Sequence, residues 1–114
     1  MKVLMCRVGE DAVVEEIGAG LHDMQNAVGG YIQAIYPYDE LVAIVCNEEG
    51  KLQGLEVNRV LTDEQGRVID VLVGNFFICG IDDYDFIDIQ DEYIDKFIKE
   101  MNRNKQISFS IRGY

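Results

Sequence analysis

The sequence predicts an α+β domain, with a mainly antiparallel sheet of five to seven strands and two helices at about residues 20–28 and 90–103. Short runs rich in Val, Ile and aromatic residues are separated by polar turns that contain glycine, which is typical of antiparallel hairpins. Two other segments repeat apolar residues every three or four positions, as helices do. The regular alternation of strand and helix that a parallel doubly wound fold requires is missing.

The candidate strands are Met1–Val8, Val13–Ile17, Tyr31–Tyr36, Leu41–Cys46, Leu52–Val57, Val68–Cys79 and Gln106–Arg112. The run Leu41–Cys46 is continuously apolar, which indicates a strand buried on both faces. Asn47–Gly50 supplies turn residues, so this strand and Leu52–Val57 should form a hairpin. Pro37 cannot donate to a ladder and should end the strand before it. At Gly74–Asn75 we expect a bulge within a long central strand, because glycine tolerates the extra residue.

The two predicted helices have clear ends. Their apolar faces are Leu21, Met24 and Val28 in the first helix, and Ile94, Phe97, Ile98 and Met101 in the second. Gly29 follows the first face at the position of a left-handed C-terminal cap. Asp88 or Asp91 is placed to cap the second helix at its start.

The length and composition indicate one globular domain, residues 1–114. The chain is 48 % hydrophobic and 27 % charged, which is far from the composition of disordered chains. No apolar run approaches the roughly 18 residues that a membrane span needs, and the first residues do not resemble a signal peptide. We therefore expect a cytoplasmic protein that does not bind membranes.

The three cysteines lie inside apolar runs with no short spacing between them. Cys6, Cys46 and Cys79 therefore do not form a disulfide framework. We expect them to be free, buried thiols.

The chain carries 21 acidic and 10 basic residues, a formal net charge of -11. Nucleic-acid affinity comes largely from Lys and Arg that displace counterions, so direct binding of DNA or RNA is not expected. The simplest alternative is that the acidity only keeps a small protein soluble.

Little in the sequence points to catalysis. The only histidine, His22, lies beside Asp23 on the first helix and is expected at the surface. The cysteines lack the electropositive, accessible setting of a reactive thiol. The glycine pair Gly29–Gly30 leads from helix to strand, whereas phosphate loops lead from strand to helix. We expect neither enzyme activity nor a cofactor.

The segment 82–95 is dense in acidic residues. It has neither the spacing nor the glycine of a calcium loop, so no metal site is expected there. A dense acidic face can instead bind a basic protein surface. The candidate partner-binding residues are Asp82, Asp83, Asp85, Asp88 and Asp91.

A second candidate site is built around Asn58 and Arg59. An arginine beside an asparagine after a glycine-containing strand could hold an anionic group through paired hydrogen bonds. Together with Tyr31, which directly follows the glycine pair Gly29–Gly30, these residues are the candidate ligand-binding set. The alternative is that Arg59 forms a surface ion pair with one of the many acids.

Several ordered motifs resemble those of the DUF3846 family. They are Val28-Gly29-Gly30-Tyr31-Ile32, Cys46-Asn47-Glu48-Glu49-Gly50-Lys51-Leu52, Gly54-Leu55, Asn58-Arg59 and Gly74-Asn75-Phe76-Phe77-Ile78-Cys79-Gly80. The resemblance covers about half of the chain and implies an accessory protein of bacteriophages or mobile elements. It implies no catalytic activity and transfers no functional residue. The family pattern often has proline where this chain has Glu56, which favours a regular strand there.

Two hypotheses follow. In the first, the chain is a non-catalytic inhibitor or adaptor of the anti-defence type, whose acidic segment docks on a basic surface of a host nucleic-acid-binding protein. In the second, it binds a small nucleotide-type ligand as a sponge, as an oligomer. Exposed strand edges in so small a domain also favour a homo-oligomer.

Overall fold

A computed structural model describes residues 1–103, in which two helices and eight strands form an α+β fold. The strands are β1 (Lys2–Cys6), β2 (Val13–Glu16), β3 (Ile32–Ile35), β4 (Val42–Asn47), β5 (Val57–Thr62), β6 (Val68–Val73), β7 (Phe76–Ile81) and β8 (Phe86–Ile87), and the helices are α1 (Leu21–Val28) and α2 (Asp91–Arg103). The predicted fold class is confirmed. The expected strand Gln106–Arg112 lies outside the described residues.

The main sheet has six strands, and every pairing in it is antiparallel. Its order is β2, β1, β7, β4, β3, and the short β8 pairs with the end of β7. Strands β5 and β6 form a separate two-stranded sheet. None of the helices in the described part of the chain is both long and apolar enough to cross a membrane.

The main sheet is buried on both faces, because residues of opposite parity point to opposite sides of a strand. On one face lie Val3, Met5, Val45 and Phe77, which pack against Met24 and Val28 of α1. On the other lie Leu4, Cys6, Ile44 and Ile78, which pack against Phe97 and Met101 of α2 and against Leu61 and Leu72 of the small sheet. The fold is therefore three layers, with the main sheet in the middle.

The C-terminal cap of α1, the range of α2 and the effect of the proline agree with the predictions. Gly29 has φ 81° and ψ 22°, and its N–H donates to the carbonyl of Gln25 at 2.8 Å, which closes α1. Strand β3 ends at Ile35, before Pro37. Helix α2 begins at Asp91, with acidic residues in its first turn and Arg103 in its last, which matches the helix dipole.

The predicted strand Leu52–Val57 is wrong. The chain makes consecutive turns after β4 and enters β5 only at Val57. Gly54 takes a left-handed φ of 70°, and the N–H of Leu55 returns to the carbonyl of Gly50 at 3.1 Å. These glycines favour tight turns over an extended strand.

The predicted long strand Val68–Cys79 is divided in two, and the expected bulge at Gly74–Asn75 is the point where the chain leaves one sheet for the other. Gly74 has φ 70°, and its N–H donates to the carbonyl of Glu56 at 2.7 Å. The first half of the run contributes only Leu72 to the buried core, whereas Phe76, Phe77, Ile78 and Cys79 of the second half are all buried.

Candidate functional site

The fold collects the acidic candidates at one end of the main sheet. Lys2, at the start of β1, lies opposite Glu16, and its backbone N–H donates to Oδ1 of Asp88 at 2.9 Å. The ammonium group of Lys2 binds the carboxylate of Asp91. This hydrogen bond raises the pKa of Lys2. Asp88 and Asp91, one of which was expected to cap α2, thus both contact Lys2 of β1.

The remaining acidic candidates form the tight turn between β7 and β8. Asp82 Oδ1 accepts the N–H groups of Tyr84 at 3.0 Å and Asp85 at 2.8 Å, and these bonds lower the pKa of Asp82. Asp82 therefore shapes the turn. Asp83 and Asp85 are exposed, and between them the side chain of Tyr84 is 93 % exposed.

A second exposed apolar side chain lies beside this turn. The N–H of Ile81, the last residue of β7, donates to the carbonyl of Leu41 at 3.1 Å, and the Leu41 side chain is exposed. We call this surface the acidic end; it consists of Glu16, Leu41, Asp82, Asp83, Tyr84, Asp85, Asp88 and Asp91. Apolar side chains surrounded by charged ones are the usual anatomy of a protein–protein interface.

The Asn58–Arg59 pair is not at the surface. Both side chains are 0 % exposed, so the expected surface ion pair of Arg59 is wrong, as is an open anion clamp at this position. Arg59 donates from Nε to the carbonyl of Met101 at 2.8 Å and from Nη2 to the carbonyl of Glu10 at 2.6 Å. It also binds Oδ1 of Asn58. These bonds attach β5 to the end of α2 and to the loop after β1.

Asn58 completes this buried network. Its Nδ2 donates to the carbonyls of Cys6 at 2.9 Å and Gly74 at 2.8 Å, which links the small sheet to the main one. Burial lowers the pKa of Arg59, while nearby Cys6 and Asp11 act in the opposite direction. The C-terminal carbonyls of α2 also favour a cation here. The donor groups of Asn58 and Arg59 bind carbonyls of neighbouring elements, so the two residues hold the layers of the fold together.

Tyr31 lies elsewhere, at an open cavity of about 440 Å³ beside the end of α1. The cavity is lined by polar and aromatic side chains from α1, from the residue before β3, from the end of β4 and from the turns after β4, namely His22, Gln25, Asn26, Tyr31, Asn47, Glu49 and Gln53. Asn58 and Arg59 do not line it, so the structure does not bring the predicted ligand-binding set together. The Tyr31 side chain is 66 % exposed.

Asn47 holds the inner wall of this cavity. Its Oδ1 accepts the N–H of Glu49 at 2.8 Å, and its Nδ2 donates to Oε1 of Gln53 at 3.2 Å. A Cβ atom at Gly30 would lie 2.8 Å from Nδ2 of Asn47, so this glycine permits the close packing. The inner wall of the cavity is thus polar and held in place by hydrogen bonds, and its outer side carries the exposed ring of Tyr31.

A wider cleft of about 940 Å³ separates the end of α2 from the β5–β6 turn. Its charges are mixed and include three ion pairs, Lys96 with Glu40, Arg67 with Asp63 and Arg103 with Glu100. Paired charges at a surface are common and give no preference for a ligand of either sign.

The three thiols are free and buried. Burial raises the pKa of Cys6 and of Cys79 to about 12, and it also raises that of Cys46. His22 is exposed, as expected. Within residues 1–103, no three His, Cys, Asp or Glu side chains are arranged to hold a metal ion.

Sequence reasoning missed Tyr84 and Leu41 as members of the site. Tyr84 has two acidic residues before it and one after it, in Asp82-Asp83-Tyr84-Asp85, and so polar a segment indicates a surface position. Leu41 begins an apolar run and gave no such indication.

Comparison with known proteins places the chain in a family without an assigned function. The sequence model of the family described as Domain of unknown function (DUF3846) matches residues 1–102. No curated protein and no solved structure matches significantly. The matched range spans most of the chain and includes the motifs at Val28–Ile32 and Gly74–Gly80, on which the resemblance was recognised. The chain therefore belongs to the DUF3846 family.

Proposed function

We propose that the protein is a non-catalytic binding protein whose acidic end docks on a basic surface of a host nucleic-acid-binding protein. The observation that carries this proposal is the position of Tyr84, which is almost fully exposed between the exposed residues Asp83 and Asp85. We further propose that it acts as an anti-defence inhibitor or adaptor of a phage or mobile element. That setting rests on the family resemblance alone.

The chemistry of the acidic end suits such a partner. Carboxylates at the end of the main sheet can occupy positions that phosphates of a nucleic acid would take in the binding groove of the partner. The net charge of -11 attracts a basic partner over distance and raises the association rate. Tyr84 supplies the aromatic contact that often carries much of the binding energy at the centre of an interface.

The carboxylates of the acidic end differ in the contacts that they make within the protein. Asp82 is committed to its turn, and Asp91 is bound to Lys2. Asp83 and Asp85 are exposed on either side of Tyr84 and are the residues best placed to meet Lys or Arg of a partner.

Photo-crosslinking in the natural host tests this proposal. A photoreactive amino acid replaces Tyr84 in one variant and Leu52 in a control; Leu52 is 89 % exposed and lies in the turns after β4. We expect position 84 to capture one basic nucleic-acid-binding protein that position 52 does not capture. Equal capture from both positions, or capture only of proteins without a basic surface, would contradict the proposal.

The cavity beside Tyr31 favours a second candidate function, the binding of a small molecule. The ring of Tyr31 can stack on a flat heterocycle while the amides of Asn26 and Gln53 offer hydrogen bonds. Glu49 and the C-terminal end of α1 make the cavity unfavourable for phosphate, so the ligand would be a nucleoside or base without phosphate.

A titration with nucleosides and with the matching nucleotides, followed by NMR, tests this second candidate. We expect shifts at the cavity residues with nucleosides only, and loss of these shifts in Tyr31→Ala. Tyr84→Ala is the matched control, since it removes another exposed tyrosine far from the cavity. No shift in the wild-type protein with any nucleoside would rule the candidate out.

A further inference from the structure

The two edges of the main sheet differ in charge. Edge strand β2 carries Glu15 and Glu16 and follows a loop with Glu10 and Asp11. Edge strand β3 lies in the segment 29–37, which contains no charged residue. Charged side chains on an edge strand are a common protection against pairing with another chain, so β2 is protected and β3 is not.

The backbone of β3 has hydrogen-bonding groups directed away from β4. The carbonyl of Tyr31 accepts the N–H of Glu48 at 2.8 Å, so Tyr31 belongs to a hydrogen-bonded pair with β4. Because such pairs alternate along an antiparallel ladder, Gln33 and Ile35 bond inward, while Ile32 and Ala34 direct their backbone groups outward. Within residues 1–103, no strand pairs with this outer side of β3.

We propose that β3 pairs with β3 of a second copy of this chain, antiparallel about a two-fold axis, to join the two main sheets. Two chains of net charge -11 repel each other, so they can associate closely only where charge is absent, and the β3 edge is such a place. Tyr31 and Tyr36 flank this edge with exposed rings that a second copy would cover. This inference does not depend on the proposed function.

Salt should strengthen the dimer. The acidic surfaces still repel one another across the interface, and dissolved ions screen that repulsion over about 8 Å at physiological ionic strength. The dimer should therefore form at lower protein concentration when salt is added, the reverse of an interface held by ion pairs.

Sedimentation velocity over a wide range of concentration, with the full chain, tests the proposal. Ala34→Pro removes an outward N–H from each copy without breaking the ladder to β4, and we expect it to weaken dimerisation about fiftyfold. Val14→Pro is the matched control, because Val14 occupies a non-bonded position opposite Leu4 on the protected edge. It should leave dimerisation unchanged, and circular dichroism should show that both variants fold.

A second variant keeps the test decisive if the proline disturbs folding. Gln33→Glu places a like charge from each copy near the two-fold axis and should weaken the dimer at low salt more than at high salt. The proposal would be overturned if the wild-type chain stayed monomeric at every concentration. That result would mean that the β3 edge does not pair with a second copy but is reserved for another protein or for another part of the chain. A dimer that neither Ala34→Pro nor Gln33→Glu weakens would also overturn the proposal.

Discussion

The side chain of Asn58 accepts a hydrogen bond from the guanidinium group of Arg59, and both residues are completely buried. Through this contact the two neighbours act as one unit, which binds carbonyl groups of β1, of the loop after it, of the β6–β7 junction and of α2. The unit holds the small sheet and α2 against the main sheet. A pair that sequence analysis proposed as a ligand clamp is thus an internal clamp of the fold.

Replacing Arg59 should strongly destabilise the protein. Arg59→Ala leaves the carbonyls of Glu10 and Met101 and Oδ1 of Asn58 without their donor, which should cost about 3–5 kcal/mol of unfolding free energy. The measurement is urea unfolding. Arg67→Ala is the control: Arg67 is exposed, and its side-chain partners within residues 1–103, Asp63 and Gln65, belong to its own turn, so the loss should be less than about 1 kcal/mol. Equal losses in the two variants would refute the structural role of Arg59.

Gly80 should tolerate a methyl group less well than Gly29 does. A Cβ atom at Gly80 would lie 2.3 Å from the carbonyl oxygen of Asp88, so Gly80→Ala should displace the backbone beside the acidic end and cost about 2–3 kcal/mol. A Cβ atom at Gly29 would have no atom within 4 Å apart from those of its own turn of the chain. Gly29→Ala should therefore cost only about 1 kcal/mol, which comes from the positive φ of this residue. Thermal unfolding of both variants measures the difference, and the opposite order would show that β8 does not pack closely on β7.

The buried thiols should make the protein less stable at alkaline pH. Cys6 and Cys79 keep their protons in the folded state until about pH 12, whereas the ordinary pKa of a thiol is 9.0. Above that value the unfolded state binds fewer protons than the folded state, so stability falls as pH rises. The two thiols together should lower the unfolding free energy by about 2 kcal/mol over the first pH unit above 9.0.

Urea unfolding at several alkaline pH values measures this loss, and Cys79→Ala separates the thiols from other groups. The variant should lose about 1 kcal/mol less than the wild-type protein over this pH unit, because the contribution of Cys79 is removed while those of Cys6, Cys46 and Tyr38 remain. Rapid reaction of Cys6 or Cys79 with a thiol reagent in the folded protein would contradict the premise.

Much of the fold followed from local rules. The spacing of Met24 and Val28 and the glycine at position 29 defined α1, since helix faces and left-handed caps depend on neighbouring residues. The division at Gly74 could not be predicted in the same way. An apolar run reports burial, and it does not report which of two sheets buries each half.

The candidate sites were less predictable because they depend on contacts distant in sequence. Arg59 meets Met101 and Glu10 only in the folded chain. Its position among Val57, Val60 and Leu61 was the available sign of burial, because a charged side chain inside an apolar strand usually has internal partners. The acidic segment was visible directly, while its contacts with Lys2 and the position of Leu41 required the topology.

The proposed docking of the acidic end depends most on Asp83 and Asp85. A double charge reversal, Asp83→Lys with Asp85→Lys, changes the surface beside Tyr84 without altering the carboxylate of Asp82 that holds the turn. The matched control is Glu48→Lys with Glu64→Lys, which changes the net charge equally at exposed positions outside the acidic end.

The decisive measurement is the affinity of these two variants and the wild-type protein for the partner captured from position 84, by isothermal titration calorimetry. We expect the reversal at Asp83 and Asp85 to weaken binding about a hundredfold or more, and the control to weaken it less than about fivefold, because only the first places lysines against a basic surface. Equal weakening by both variants would mean that net charge alone acts, and no weakening by either would mean that the acidic end is not the docking surface.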